Sequence, residues 1–195
     1  MRSVTIILCL AGLGLAMLAG CAASPSGPQA PLAPTQPMTS PSITNTASAA
    51  TLDVTTGDGV YPRTEGTEFV QLVGVTDRVT DKQQVFVDWG ETYTARDWRS
   101  YYKAAGDSAQ PYEFVQASRS GPQCDAAQAC TFTERYRISI PPREMLLAAR
   151  TGLSFDVYSR RGGTRTVTVS PEIAAAFNDR MAEAARLAGR GHGGT

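Results

Sequence analysis

The chain has one histidine, His192, and it sits in a glycine-rich tail, GRGHGGT, after residue 188. A serine or cysteine nucleophile needs a base held in hydrogen-bond geometry, and a tail of that composition cannot hold one. Lysine is equally scarce: Lys82 and Lys103 are the only two, and neither lies in a Ser-Lys pattern. No charge of one sign dominates, with 18 basic against 18 acidic residues. Phosphate-backbone binding needs a strong basic excess, so a nucleic-acid partner is not expected. Repeats, heptads and a phosphate-cradling glycine loop are absent. No apolar run reaches the roughly 20 residues that span a bilayer.

Cysteine is sparse but placed. Of Cys9, Cys21, Cys124 and Cys130, the first two fall in or beside the N-terminal apolar run. Arg2 opens that run as a positive n-region, and residues 4–18 (VTIILCLAGLGLAML) form an h-region of about 15 residues. Small residues then precede a cysteine in Leu18-Ala19-Gly20-Cys21. This tetrapeptide resembles the lipobox of bacterial lipoproteins. The resemblance covers residues 1–21 and implies cleavage before Cys21, acylation of that cysteine, and a hold on the membrane through two or three acyl chains. Ala22 is not Asp, which under the enteric sorting rule implies the outer membrane, with the domain facing the periplasm. Cleavage would remove Cys9 and Arg2, leaving a net charge of about −1.

The expected organisation is a cleaved signal over 1–20, a lipidated tether over 21–50, one globular domain over 51–189 and a disordered tail over 190–195. Residues 22–50 carry Pro25, Pro28, Pro31, Pro34, Pro37 and Pro41, no charge and no apolar period, so they cannot offset their own ordering entropy. Fully extended, the tether would reach about 90 Å. In an exported domain Cys124 and Cys130 are expected to form a disulfide. Two cysteines without histidines do not make a tetrahedral zinc site, and no metal or cofactor is expected.

Within the domain, residues 51–55 (TLDVT) read as an edge strand, followed by breaks at Gly57-Asp58-Gly59 and Pro62. Residues 67–75 (TEFVQLVGV) and 83–89 (QQVFVDW) read as a hairpin. Residues 91–105 (ETYTARDWRSYYKAA) fit a short helix, N-capped by Thr94, that groups Trp98, Tyr101 and Tyr102 as core or as a partner surface. As a strand the same stretch alternates weakly. Gly106-Asp107-Ser108 resembles the GDS of a hydrolase family and of serine proteases over three residues, without a base. Residues 112–118 (YEFVQAS) read as a strand.

The clearest strand follows the cysteine loop. Phe132, Glu134, Tyr136, Ile138 and Ile140 share one face, and Thr131, Thr133, Arg135, Arg137 and Ser139 the other. Glu134 is the exception on the apolar face, where an unpaired carboxylate would be costly. It is expected either at the sheet margin or paired with an arginine. Glycosidase-type chemistry would need a second carboxylate, from among Asp88, Glu91, Asp97 or Glu113. Residues 142–150 (PREMLLAAR) read as a helix burying Met145, Leu146 and Ala149, closed by Gly152. Residues 153–158 and 164–169 read as a hairpin. Ser170-Pro171-Glu172 starts a helix with Ile173, Phe177, Met181, Ala184 and Ala188 along one stripe.

The expected fold is therefore α+β, a mainly antiparallel sheet or sandwich with a C-terminal amphipathic helix. The expected function is a non-enzymatic binding or accessory module of the cell envelope with a protein partner. A second reading is an anionic ligand, lipid A phosphate or peptidoglycan, on a face made of Arg135, Arg137, Arg160, Arg161 and Arg165. A third is an envelope hydrolase using Glu134.

Overall fold

A computed structural model of the chain describes residues 35–45, 50–106, 110–125, 129–161 and 163–190. Cys21 and its lipobox, Asp107 and Ser108, and residues 191–195 with His192 lie outside the described residues.

Residues whose apolar side chains recur every second position build two antiparallel sheets. The larger contains β1 (Ser42–Asn45), β2 (Thr51–Thr55), β3 (Gly59–Arg63), β4 (Gly66–Asp77), β5 (Gln83–Ala95), β8 (Phe114–Cys124) and β9 (Cys130–Ile140). Its order is β1-β2-β4-β5-β9-β8, with β3 paired to the first half of β4 and β2 to the second. The smaller contains β6 (Tyr101–Ala105), β7 (Pro111–Tyr112), β10 (Leu153–Ser159) and β11 (Thr164–Val169), in the order β11-β10-β6-β7. Two helices, α1 (Pro142–Thr151) and α2 (Pro171–Arg190), complete an α+β, sandwich-like fold with a C-terminal helix.

One face of the large sheet is the core. Leu52, Val54, Val70, Leu72, Val85, Val87, Trp89, Tyr136, Ile138 and Ile140 all point into it and are buried. The smaller sheet closes on this face through Tyr101, whose ring meets Trp89 edge-on at 4.7 Å. Helix α2 closes the rest with Ala174, Phe177, Met181, Ala184 and Ala188, all buried. It reaches the sheet at Gly74, where any Cβ would overlap Met181 Sδ and crowd the Phe177 ring. The β4–β5 turn is set by Asp77, whose Oδ1 accepts the N–H groups of Val79 (2.8 Å) and Thr80 (2.9 Å), an Asx-type turn. A disulfide joins Cys124 of β8 to Cys130 of β9 at the end of their hairpin.

Four local expectations are corrected. Residues 91–105 form no helix: residues 91–95 complete β5 and β6 takes up the chain at Tyr101. Pairing with β9 decides this, since it sends Glu91 and Tyr93 inward and joins the Thr92 and Thr133 hydroxyls at 2.8 Å; tertiary pairing overrides local propensity. Second, the folded domain begins before residue 51. Gln36 bridges to Val60, Met38 is buried, and β1 covers β2, which is therefore not an edge. Met38 and Ile43 bring apolar surface to a stretch whose prolines are compatible with extended backbone. Third, Gly59 and Pro62 do not break the chain but lie within β3, paired with Val70 and Thr67 of β4. Fourth, the inner face of α1 is Met145 and Ala148, leaving Leu146 and Leu147 exposed.

Candidate functional site

Each of the three central strands carries one carboxylate at an inward position: Glu68 on β4, Glu91 on β5 and Glu134 on β9. The register places Glu68 opposite Glu91, and Glu91 opposite Glu134, so the three form a transverse row. None is more than 2% exposed. Like charges on facing positions repel, and a buried carboxylate without partners is costly. The row therefore exists only because of what meets it.

Four arginines do so, each from a different part of the chain. Arg63 of β3 pairs with Glu68 and Arg119 of β8 with Glu134 at 2.9 Å. Arg99, between β5 and β6, pairs with Glu91, and Arg165 of β11 reaches the same carboxylate at 3.2 Å. Arg99 also pairs with the exposed Glu65 and stacks 4.2 Å from the Tyr93 ring centroid.

Both oxygens of each glutamate accept hydrogen bonds. Glu68 takes the Trp89 indole N–H at 2.6 Å on one oxygen and Arg63 on the other. Glu91 takes Arg99 and Arg165 on one and the Tyr101 hydroxyl on the other. Glu134 takes the Tyr93 hydroxyl and the Ser100 N–H (3.2 Å) on Oε1, and Arg119 and the Tyr136 hydroxyl on Oε2. The Tyr93 oxygen in turn accepts the Arg99 N–H at 2.7 Å.

Environment drives Glu68 and Glu134 apart. Burial raises the Glu68 pKa above its ordinary value, more than its bonds with Trp89 and Arg63 lower it. For Glu134 burial also acts upward, but the Tyr136 and Tyr93 hydroxyls and Arg119 outweigh it and hold the carboxyl below the usual range. Burial, with the nearby carboxylates, keeps Tyr93, Tyr101 and Tyr136 protonated far above the ordinary phenol value. Burial would weaken the Arg99 charge, but Glu91 more than restores it.

Glu134 thus lies opposite Glu91, one of the four candidates for a facing carboxylate, and is met by Arg119. The other three are elsewhere. Asp88 is on the opposite face of the sheet, joined to Arg137 by two 2.7 Å bonds. Asp97 pairs with Arg161, and Glu113 is exposed. The five arginines expected on one face divide into three places. Arg135 and Arg137 are on the outer face of β9, Arg160 and Arg161 follow the end of β10, and Arg165 points to Glu91. β9 and β11 belong to different sheets, which separates them.

The aromatic trio is also divided. Tyr101 is buried in the row's hydrogen bonds, Tyr102 is exposed, and Trp98 lies edge-on to Phe132 at 4.7 Å beneath the Arg119 guanidinium. Sequence reasoning missed Glu68, Arg63, Arg99 and Arg119. Glu68 shares the parity of Val70 and Leu72, and Glu91 that of Val87 and Trp89, the same signal that singled out Glu134.

The outer face of the large sheet carries half-buried Phe69 and Phe86, with Arg135 4.9 Å and Arg137 5.3 Å from their ring centroids. Beside it runs β8, exposed at every residue after Phe114. Phe86, Val115, Ala117, Arg137, Ser139 and Glu113 line a shallow groove of about 390 Å³ there. Among the described residues, no group of three or more His, Cys, Asp or Glu side chains is placed to hold a metal ion, and no helix is long and apolar enough to cross a membrane. Compared with family models, with curated proteins and with solved structures, the chain matches none.

Proposed function

We propose that this chain is a non-enzymatic accessory module of the bacterial cell envelope, held at the outer membrane through Cys21 and presenting its domain to a protein partner in the periplasm. The observation that carries the reading is β8. It is the last strand of the large sheet, eleven residues long and exposed along almost all of them. Its one charge, Arg119, is engaged by Glu134. An edge strand without charged guards accepts an added strand, whose backbone bonds give affinity and whose alternate side chains give specificity. Residues 114–116 precede the first bulge of β8 and adjoin the Phe86–Val115–Ala117 groove, which would receive those side chains.

The saturated glutamate row supports the non-enzymatic part, because a general acid or nucleophile needs an oxygen free for substrate. An anionic ligand on the arginines is less well supported. Arg137, Arg161 and Arg165 already hold carboxylates, and Arg135 and Arg160 belong to different surfaces.

The test is in-cell photocrosslinking from position 115 of the tagged, acylated protein, followed by mass spectrometry. One envelope protein captured from position 115 and not from the exposed position 79 is the expected result. Equal capture from both positions, or none, would overturn the partner surface. Retention of Cys21→Ser in the membrane fraction after a high-salt wash, which strips peripheral electrostatic contacts, would overturn the anchor.

A further inference from the structure

Helix α1 carries a surface that neither the core nor the β8 edge uses. Its inner positions, Met145 and Ala148, are buried, and the Met145 carbonyl accepts a 2.9 Å bond from Asn178 of α2. The opposite stripe reads Arg143, Leu146, Leu147, Arg150. At 100° per residue these four fall within an arc of about 100°. Leu146 is 65% and Leu147 55% exposed, and both arginines are exposed. Among the described residues neither arginine has a carboxylate within ion-pair distance. The helix's own acid, Glu144, accepts the Tyr112 hydroxyl instead.

We propose that this stripe rests on an anionic phospholipid surface, the two leucines entering the headgroup boundary and the two arginines meeting lipid phosphates on either side. An apolar centre bracketed by cations is what an interfacial helix presents: the arginine stems lie along the apolar boundary while their heads stay in the polar layer. A neutral apolar groove would accept the leucines but gives no reason for the two cations that bracket them; an acidic groove would answer both, and a response to protein in the absence of lipid is what would reveal it. The chain length allows the contact. Thirteen residues separate Cys21 from Thr35, a reach of about 45–50 Å were they fully extended. The inference rests on the anchored reading only for bringing a bilayer near; the helix face itself does not depend on it.

The test places an environment-sensitive fluorophore on Leu146→Cys, and on Val79→Cys at the β4–β5 turn as a control. Cys124 and Cys130 are disulfide-bonded, and Cys21 would be acylated, so the introduced thiol is the one free to label. The mature full chain is reconstituted into vesicles of phosphatidylcholine with phosphatidylglycerol, and into phosphatidylcholine alone. In the anionic vesicles the label at 146 should brighten roughly threefold and shift to the blue, as on entry into a headgroup region. It should be quenched by spin-labelled lipid, and the response should fall to the level of position 79 in neutral vesicles and in Arg143→Glu/Arg150→Glu.

Equal responses at 146 and 79, or equal responses in both lipids, would overturn the proposal. So would a response to envelope protein without lipid, which would assign the face to a protein. Mass spectrometry of the N-terminus decides the anchor separately. If Cys21 is not acylated, the two variants are remade with Cys9→Ser and Cys21→Ser so that the introduced thiol is again the one labelled, and are added to the same vesicles at high lipid concentration, where the contrast between 146 and 79 still decides.

Discussion

Among the described arginines, Arg99 has the most to lose. It is 5% exposed, holds Glu91 and Glu65, and covers the Tyr93 ring. Its removal leaves Glu91 deep in the sheet with Arg165 as its remaining cation, and a stranded buried charge costs far more than a surface pair gains. Arg99→Ala should therefore lower stability by about 3–5 kcal/mol in urea unfolding. Arg99→Lys should recover part of that, because the charge returns without the two-armed fork. Glu134 and Glu68 should respond to acid in opposite senses. The Glu134 carboxyl is lowered in the fold, so its stabilisation is present above the unfolded value, about 4.5, and is lost as pH falls through the folded one. The Glu68 carboxyl is raised, so its contribution is present below about 4.5 and is lost as pH rises through the folded value. Relative to wild type, Glu134→Gln should thus become less stable as pH rises toward 4.5, reaching a deficit of about 2–3 kcal/mol at neutral pH. Glu68→Gln should become relatively more stable as pH rises above 4.5. Unfolding curves between pH 3 and 7 that ran parallel for the two variants would contradict this assignment.

Secondary-structure elements differ in how much of their fate is local. Gly74 ties α2 to β4 by allowing close approach, so Gly74→Val should lift the helix and cost about 1–3 kcal/mol, seen as a lower Tm and a changed near-ultraviolet dichroism. The Cys124–Cys130 bond closes a short loop, and Cys124→Ser/Cys130→Ser should lose about 2 kcal/mol while still folding. The strand β9 was legible because its alternation is unbroken and its inner face needs no distant partner to be recognised. The β4–β5 hairpin, the Ser170-Pro171-Glu172 helix start and the disulfide were legible for similar reasons: each is specified within a few residues. Residues 91–105 were not. Tyr, Trp and Thr suit a short helix as well as a strand, and the pairing with β9 that decides between them lies about 40 residues away in the chain. Of the glutamate row, Glu134 was singled out and Glu91 stood among four candidates to face it, while Glu68 was missed, because a carboxylate is recognised as buried only when the strand around it has been placed. Its arginines come from β3, β8, β11 and a connection, and no spacing in the sequence links them.

Across the whole molecule, protection from solvent should follow distance from the sheet's margins. β4, β5 and β9 are paired on both sides and covered on their inner face, whereas β8 is paired on one side and bulged at two places. Amide hydrogen exchange should be slowest in those three central strands and faster by orders of magnitude in residues 117–123 of β8, where opening exposes little apolar surface. The same central strands raise a problem of alignment that apolar patterning does not solve. Side chains alternate with period two, so sliding β5 by two residues against β9 would keep every apolar residue facing inward. It would, however, set Glu91 against Phe132 or Tyr136, and a matching slip of β4 would set Glu68 against Trp89 or Tyr93. In either case a carboxylate would leave the arginines that neutralise it. The transverse charges therefore act as a key for strand alignment: a misaligned sheet keeps its apolar residues inside but traps an unanswered charge. A variant in which the three glutamates and the arginines that meet them are replaced together by apolar residues of similar size should keep a buried core and lose its single alignment, seen as multiple amide resonances for β5 and β9.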